Sequence, residues 1–327
     1  MKNHISLFIF AIALLSGPVS ANDLSMTAVK DTLASIPGEH NYIYVRTPLG
    51  EDEEKNYDEI TFYDGLGREL DFAQSYGADR AGAIMAHHHL IEYDSLGRKE
   101  KQWLSTNTSF SYMSPEDLKG SVLWDYHDAG KRSYLQTNYE SSPLNRITEQ
   151  YGVGDAWGDH PARMEYLTNI PADSLRCSFY FIDDNDSLIR RGDYRSGELQ
   201  VTKATDEDGK PTYTFVDKQG RTLLTRLGRG NQQADTYFVF DRFGRIRYVL
   251  PPMINDEISA GNLDLYAYQY LYDSFGRCIS KKLPGCAAIG YVYDKADRVI
   301  LSQNGNQSQK KEWTFTFYDN QGRLALT

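Results

Sequence analysis

The most conspicuous candidate for chemistry is the run His87-His88-His89. Imidazole nitrogens bind Zn2+, and alternate residues of a strand share a face. Two of these rings with a nearby acid or a third histidine could therefore hold a hydrolytic metal. An exposed or tyrosine-packed strand leading into Tyr93 accounts for the same residues. Asp183-Asp184-Asn185-Asp186 and Asp206-Glu207-Asp208-Gly209 offer oxygen ligands. Neither has the twelve-residue spacing and closing glutamate of a calcium loop, so solvated turns are expected. Cys177, Cys278 and Cys286 cannot all pair, and no C-x-x-C spacing marks a metal site. Cys278 with Cys286 is the plausible couple for a disulfide, and three free thiols are the alternative. There is no G-x-S-x-G elbow, no phosphate-binding loop and no cysteine–histidine arrangement near a helix start. The expectation is no catalytic residue, no metal, no cofactor and no enzyme, although acid pairs for glycoside hydrolysis assemble only in space.

A second set of charged residues recurs. Aromatic-Asp-x-x-Gly-Arg occurs at Asp64, Gly67 and Arg68; at Asp94, Gly97 and Arg98; at Asp241, Gly244 and Arg245; at Asp273, Gly276 and Arg277; and at Asp319, Gly322 and Arg323. Val216 replaces the aromatic residue before Asp217, Gly220 and Arg221, and Asp297 replaces the glycine between Asp294 and Arg298. A catalytic constellation is normally unique, whereas a turn device is copied with the fold. The repetition therefore assigns these residues to structure.

The flanking residues say what they join. Trp313, Phe315 and Phe317 alternate with Thr314, Thr316 and Tyr318, and Tyr268, Tyr270 and Tyr272 form a similar stripe. Period two means strand. Asp-x-x-Gly between strands suits a type I turn closed by a glycine bulge: the aspartate accepts backbone N–H groups, and the fourth residue takes positive φ. The arginine starts the return strand, where it can pair with a turn aspartate or lie across a tyrosine ring. Each copy is then one β-hairpin. A lone hairpin is marginal in water, so neighbours must stack to bury the aromatic stripe.

Bulk properties fit this picture. The chain has 327 residues, with 24 Tyr and 14 Phe against 4 Trp, and aromatic residues favour half-buried strands. The formal charge of −10, with no basic cluster, argues against nucleic acid. Lys2 and His4 precede the apolar run Ile5–Leu15, then Gly17-Pro18 and the small-residue site Val19-Ser20-Ala21. This predicts a cleaved signal peptide at 1–21 and a periplasmic, cell-surface or secreted protein with no transmembrane segment in the mature chain. A helix is expected near 24–36, a charged loop at Glu51–Lys55, and a helix from about 115 to 127 opened by Ser114-Pro115-Glu116-Asp117. A boundary is expected near 205–211, separating region 22–205, with its early hairpins, from repeats at 206–327.

The turns at 57–104 and 212–327, the stretch Ser142-Pro143-Leu144-Asn145-Arg146 and the lead-in Asn41-Tyr42-Ile43-Tyr44-Val45-Arg46 together resemble the bacterial RHS/YD-repeat proteins. The resemblance implies a mainly β fold of tandem antiparallel hairpins in a curved, spiralling sheet, with one or two short helices in the N-terminal half. In larger relatives such a sheet closes into a shell around a C-terminal toxin. The core segment that follows the repeats there, with its self-cleavage motif and effector, has no counterpart before Thr327, so cleavage and toxicity are not implied. The expected role is a non-catalytic shell segment. Its partner is a protein: a downstream repeat or effector polypeptide, or a neighbouring copy. Exposed tyrosines make a glycan-binding module one alternative, and His87–His89 make a metal-assisted hydrolase another.

Overall fold

The computed structural model describes residues 40–48, 56–75, 85–228, 233–254 and 257–327. The leader at 1–21, the helix expected at 24–36 and the loop Glu51–Lys55 lie outside the described residues. The chain is mainly β, and its contacts divide it into two compact units, Met1–Ala162 and Arg163–Thr327. The expected boundary near 205–211 falls instead inside the second unit. There, Asp206–Lys210 is the tight turn of a hairpin that pairs Gln200–Thr205 with Pro211–Val216.

In the first unit, strands Asn41–Pro48, Asn56–Tyr63, Glu69–Ser75 and Met85–Tyr93 pair antiparallel in chain order. Met85–Tyr93 then pairs with both Lys99–Trp103 and Thr106–Ser109, and Tyr134–Tyr139 and Ile147–Tyr151 continue from Lys99–Trp103. Alternation puts Ile60, Phe62, Ala73, Ala86 and Phe110 in one buried cluster, with Tyr42 and Tyr44 packed against it. Burial of a side chain such as Phe62 or Ile60 contributes about 1.5–3 kcal/mol. Asp58 is buried beside this cluster, and it is satisfied by the Tyr44 hydroxyl and the Arg46 guanidinium, both at 2.7 Å. Helix Pro115–Asp125 forms where expected: Ser114 caps it by accepting the Asp117 N–H, and Leu118 and Val122 are its buried side.

The second unit is an antiparallel succession from Ala162–Thr168 through Gln200–Thr205, Pro211–Val216, Thr222–Leu227, Ala234–Phe240, Ile246–Leu250, Tyr268–Tyr272, Cys278–Lys282, Ile289–Tyr293 and Val299–Gln303 to Thr314–Phe315. A separate hairpin, Ser178–Ile182 with Leu188–Asp193, lies outside that succession. Two short helices interrupt the repeats expected at 206–327. Helix Ala260–Tyr266 enters after Pro251-Pro252 and is capped by Ser259, and helix Gly305–Lys310 is set by an Asn304/Gln307 capping box. Short helices therefore occur in the C-terminal half as well as at 115–125. Among the described residues, no helix is long and apolar enough to cross a membrane.

Candidate functional site

Alternating strand direction puts every Asp-x-x-Gly-Arg turn of a unit at the same end of its strands, and the longer connections, with the Asp206–Lys210 turn, at the other end. The hydrogen bonding is the same in each copy. At Asp273, Oδ1 accepts the N–H groups of Phe275 and Arg277, both at 2.9 Å, while Oδ2 takes the Arg277 Nε at 2.7 Å. The same three bonds occur at Asp64, Asp94, Asp217, Asp241, Asp294 and Asp319. The glycines Gly67, Gly97, Gly220, Gly244, Gly276 and Gly322 have φ between +77° and +86°, and Asp297 takes the position at +59°.

These carboxyls are held below the usual aspartate range. At Asp64, Asp294 and Asp319 the backbone N–H of the turn arginine is the largest cause. At Asp94, Asp217, Asp241 and Asp273 burial opposes the shift most strongly and is outweighed by that N–H and the guanidinium.

Each arginine except Arg323 of the last turn also reaches forward to the following turn. Arg68 lies over the Tyr93 ring, Arg98 over Tyr139, Arg221 over Phe240, Arg245 over Tyr272, Arg277 over Tyr293 and Arg298 over Tyr318, 4.6–5.1 Å from the ring centres. Nη1 of Arg98, Arg245 and Arg277 donates to the backbone oxygen of the next turn's acid, Glu140, Asp273 and Asp294. The tyrosines reach back. The hydroxyls of Tyr93, Tyr139, Tyr272, Tyr293 and Tyr318 donate to the carbonyls of Glu69, Lys99, Ile246, Cys278 and Val299, at 2.8–3.0 Å. The arginine thus pairs with its own aspartate and covers the next ring at the same time. The fit is close: a Cβ on Gly97 would sit 2.9 Å from Arg68 Nη1.

Three relatives of this turn lie outside the repeated pattern, two of them at the solvated turns expected at Asp183–Asp186 and Asp206–Gly209. Asp183–Ser187 and Asp206–Lys210 have the same backbone and Oδ1 bonds, with Asp186 and Gly209 at positive φ, but lack the arginine. Glu140–Arg146 is a wider version. There the Arg146 guanidinium, followed by the Ser142 hydroxyl, holds the Glu140 carboxyl down at about 2, and Asn145 takes the positive φ.

The other candidates are engaged elsewhere. His88 is buried against Asp71, whereas His87 and His89 project to the opposite side of their strand. Among the described residues, no three His, Cys, Asp or Glu side chains converge as a metal site. The cysteines are unbridged, and burial pushes the Cys177 thiol up to about 12. A cavity of about 290 Å3 between the separate hairpin and the sheet is lined by Tyr180, Tyr194, Phe240, Arg221 and Asp241. Arg221 and Asp241 already serve their turns.

One sheet face of the second unit changes character along its length. Cross-strand register aligns Val201, Phe215, Leu224, Tyr237 and Leu250 on it, all buried, with Phe215 at 0% exposure. Tyr180 of the separate hairpin packs on Tyr237 with ring centres 4.8 Å apart. Arg226 pairs with Asp235 and donates to the carbonyls of Ser174 and Arg176, while Arg247 clasps Asp186 at the hairpin's turn. The same face continues through Leu271, Val292, Leu301 and Phe315. Here the hairpin's cover gives way: helix Ala260–Tyr266 is held over Gln269 and Lys282 of this face through the Leu263 and Asp264 carbonyls, whereas Leu271 is 44% exposed and Phe315 56%.

Residues 41–168 match a family described as a domain of unknown function, DUF6443. No curated protein matches the sequence. A crystal structure of TcdB2-TccC3 covers 87% of this chain at 13% identity with a TM-score of 0.54, and one of TcdB2-TccC3-Cdc42 covers 87% at 14% with a TM-score of 0.55. This chain spans 13% of the length of each. At such identity the likeness concerns the fold alone, and it supports the RHS-like, mainly β architecture.

Proposed function

We propose that the chain is a non-catalytic structural segment of an exported hairpin-repeat system, and that it holds a polypeptide against the exposed apolar residues in the second half of its C-terminal sheet face. The observation that carries the reading is the change along that face. Its first half is covered by the chain's own hairpin, Ser178–Asp193, and the segment leading into it, through the Tyr180–Tyr237 contact, the Arg247–Asp186 pair and the bonds of Arg226 to the Ser174 and Arg176 carbonyls. Its second half presents Leu271, Val292 and Phe315 in continuous register with the covered half. The occupant that matches is another hairpin with an apolar inner side, because that is the chemistry already seated next to it. The row of turns supports a scaffold: its charges are spent on holding one repeat to the next. The leader at 1–21 supports export.

The test is to co-express the mature chain with the polypeptide encoded beside it and to map oxidative labelling of Leu271 and Phe315. The expected result is a stoichiometric complex with both residues protected. If the two polypeptides stay separate and labelling is unchanged, the reading is wrong.

A further inference from the structure

We propose that His88 and Asp71 form a buried, shared-proton clasp that tightens the N-terminal unit in acid and loosens it as pH rises. The His88 side chain is 0% exposed, and Asp71 is buried with it. Nδ1 lies 2.6 Å from Asp71 Oδ2, and Nε2 lies 3.0 Å from the carbonyl oxygen of Ser109. A neutral imidazole has one N–H and one lone pair. Here both nitrogens face oxygens, and the carbonyl can only accept. The Nε2 proton therefore belongs to Ser109, and a second proton must lie between Nδ1 and Oδ2. Whichever atom carries it, the pair holds two protons and has no net charge.

Removing that second proton sets a ring lone pair against an oxygen inside the unit, either the Asp71 carboxylate or the Ser109 carbonyl according to the tautomer. Asp71 Oδ1 already has no hydrogen-bond partner, so the carboxylate has no second donor to fall back on. Register places the clasp at a junction. His88 stands opposite Ala73 on one side and Thr106 on the other, so the ring ties strand Glu69–Ser75 to strand Thr106–Ser109. Among the described residues, the titratable groups around it include His87 and His89 on its own strand; Tyr112 beyond Ser109, with His40 stacked on it and Glu116 of the following helix acting on it; and Asp125 of that helix, which accepts from Thr106 opposite His88. None of them is a cation in contact with Asp71 that could replace the histidine.

The direction follows from the pair. Burial pulls His88 down and is outweighed by the hydrogen bond and charge of Asp71, so its folded value stands above the unfolded one. Stability from this group is complete below about 6.5, the unfolded value, and is lost as pH climbs through the folded value. Each unit between the two values corresponds to about a tenfold change in the folding constant.

The experiment uses the mature chain labelled with 15N-histidine, followed by imidazole NMR from about pH 6 to about pH 9, with urea unfolding over the same range. The expected result is a His88 ring that keeps both nitrogens protonated, or shares the second proton with Asp71, well above the pH at which His89 becomes neutral. The urea midpoint should fall across that upper range in the wild type and stay flatter in His88→Gln. Asp71→Asn should drop the ring's titration below that of a free histidine. A wild-type His88 that is a neutral single tautomer at or below about pH 6.5 overturns the proposal, even if neither variant folds.

Discussion

Replacing Asp241 by alanine tests the turn row where it is best buried. The carboxylate accepts the N–H groups of Phe243 and Arg245 at 2.9 Å and the Arg245 Nε at 2.7 Å. A hydrogen bond to a charged group contributes about 1.5–3 kcal/mol. The three share one carboxylate and do not add, and the ion pair is partly screened, so Asp241→Ala should cost about 2–3 kcal/mol in total. Asp241→Asn keeps an oxygen for the two backbone donors and gives up the ion pair, so its cost should be about 1 kcal/mol. Arg245 then carries the effect forward, because it lies over the Tyr272 ring and donates to the Asp273 carbonyl. A double-mutant cycle of Asp241→Ala with Tyr272→Ala should show a coupling of about 0.5–1 kcal/mol, although the two side chains are joined only through that arginine. The assay is reversible urea unfolding followed by tyrosine fluorescence. The reasoning fails if asparagine costs as much as alanine, or if the two substitutions simply add.

Gly220→Ala should lose about 1–2 kcal/mol through left-handed strain alone, since nothing lies within 4 Å of its added Cβ; calorimetry reads this as a lowered Tm. Arg226→Ala strands Asp235 and two carbonyls around a buried guanidinium, and should cost about 3–5 kcal/mol in chemical unfolding. Because the turn carboxyls are depressed in the folded state, their contribution is present above about pH 4 and lost as pH falls through their folded values; acid titration of Asp217→Asn should show a shallower loss than wild type. In a thiol-labelling time course Cys286 should react first and Cys177 last, given their exposure and the raised Cys177 thiol.

The hairpin architecture was legible because one turn chemistry recurs with its glycine and arginine intact, and the helix at 115–125 because Ser114 and Pro115 announce it. The turns at Asp183 and Asp206 were expected as turns but not as kin of the repeat: the backbone bonds depend on the first aspartate and the fourth residue's φ, and neither turn needs the arginine that makes the pattern recognisable. For the same reason 206–211 read as a boundary when it is an ordinary reversal within a sheet. Partners distant in sequence were not legible at all. Asp186 and Arg247 are 61 residues apart, and no local pattern says that a hairpin turn will fold back onto a strand. His88 showed up as a conspicuous histidine, but its partner Asp71 lies on a neighbouring strand and carries no motif.

The joint between consecutive turns looks the same wherever it occurs: a cation offered ahead, a ring and a hydroxyl offered behind. Any two copies can therefore be neighbours without redesign of either. A lineage can lengthen or shorten such a chain by duplicating or deleting whole hairpins, because both ends of the excised or inserted piece already fit what remains. Phe240 marks the tolerance of the joint, since it keeps the stacking surface after its hydroxyl is gone.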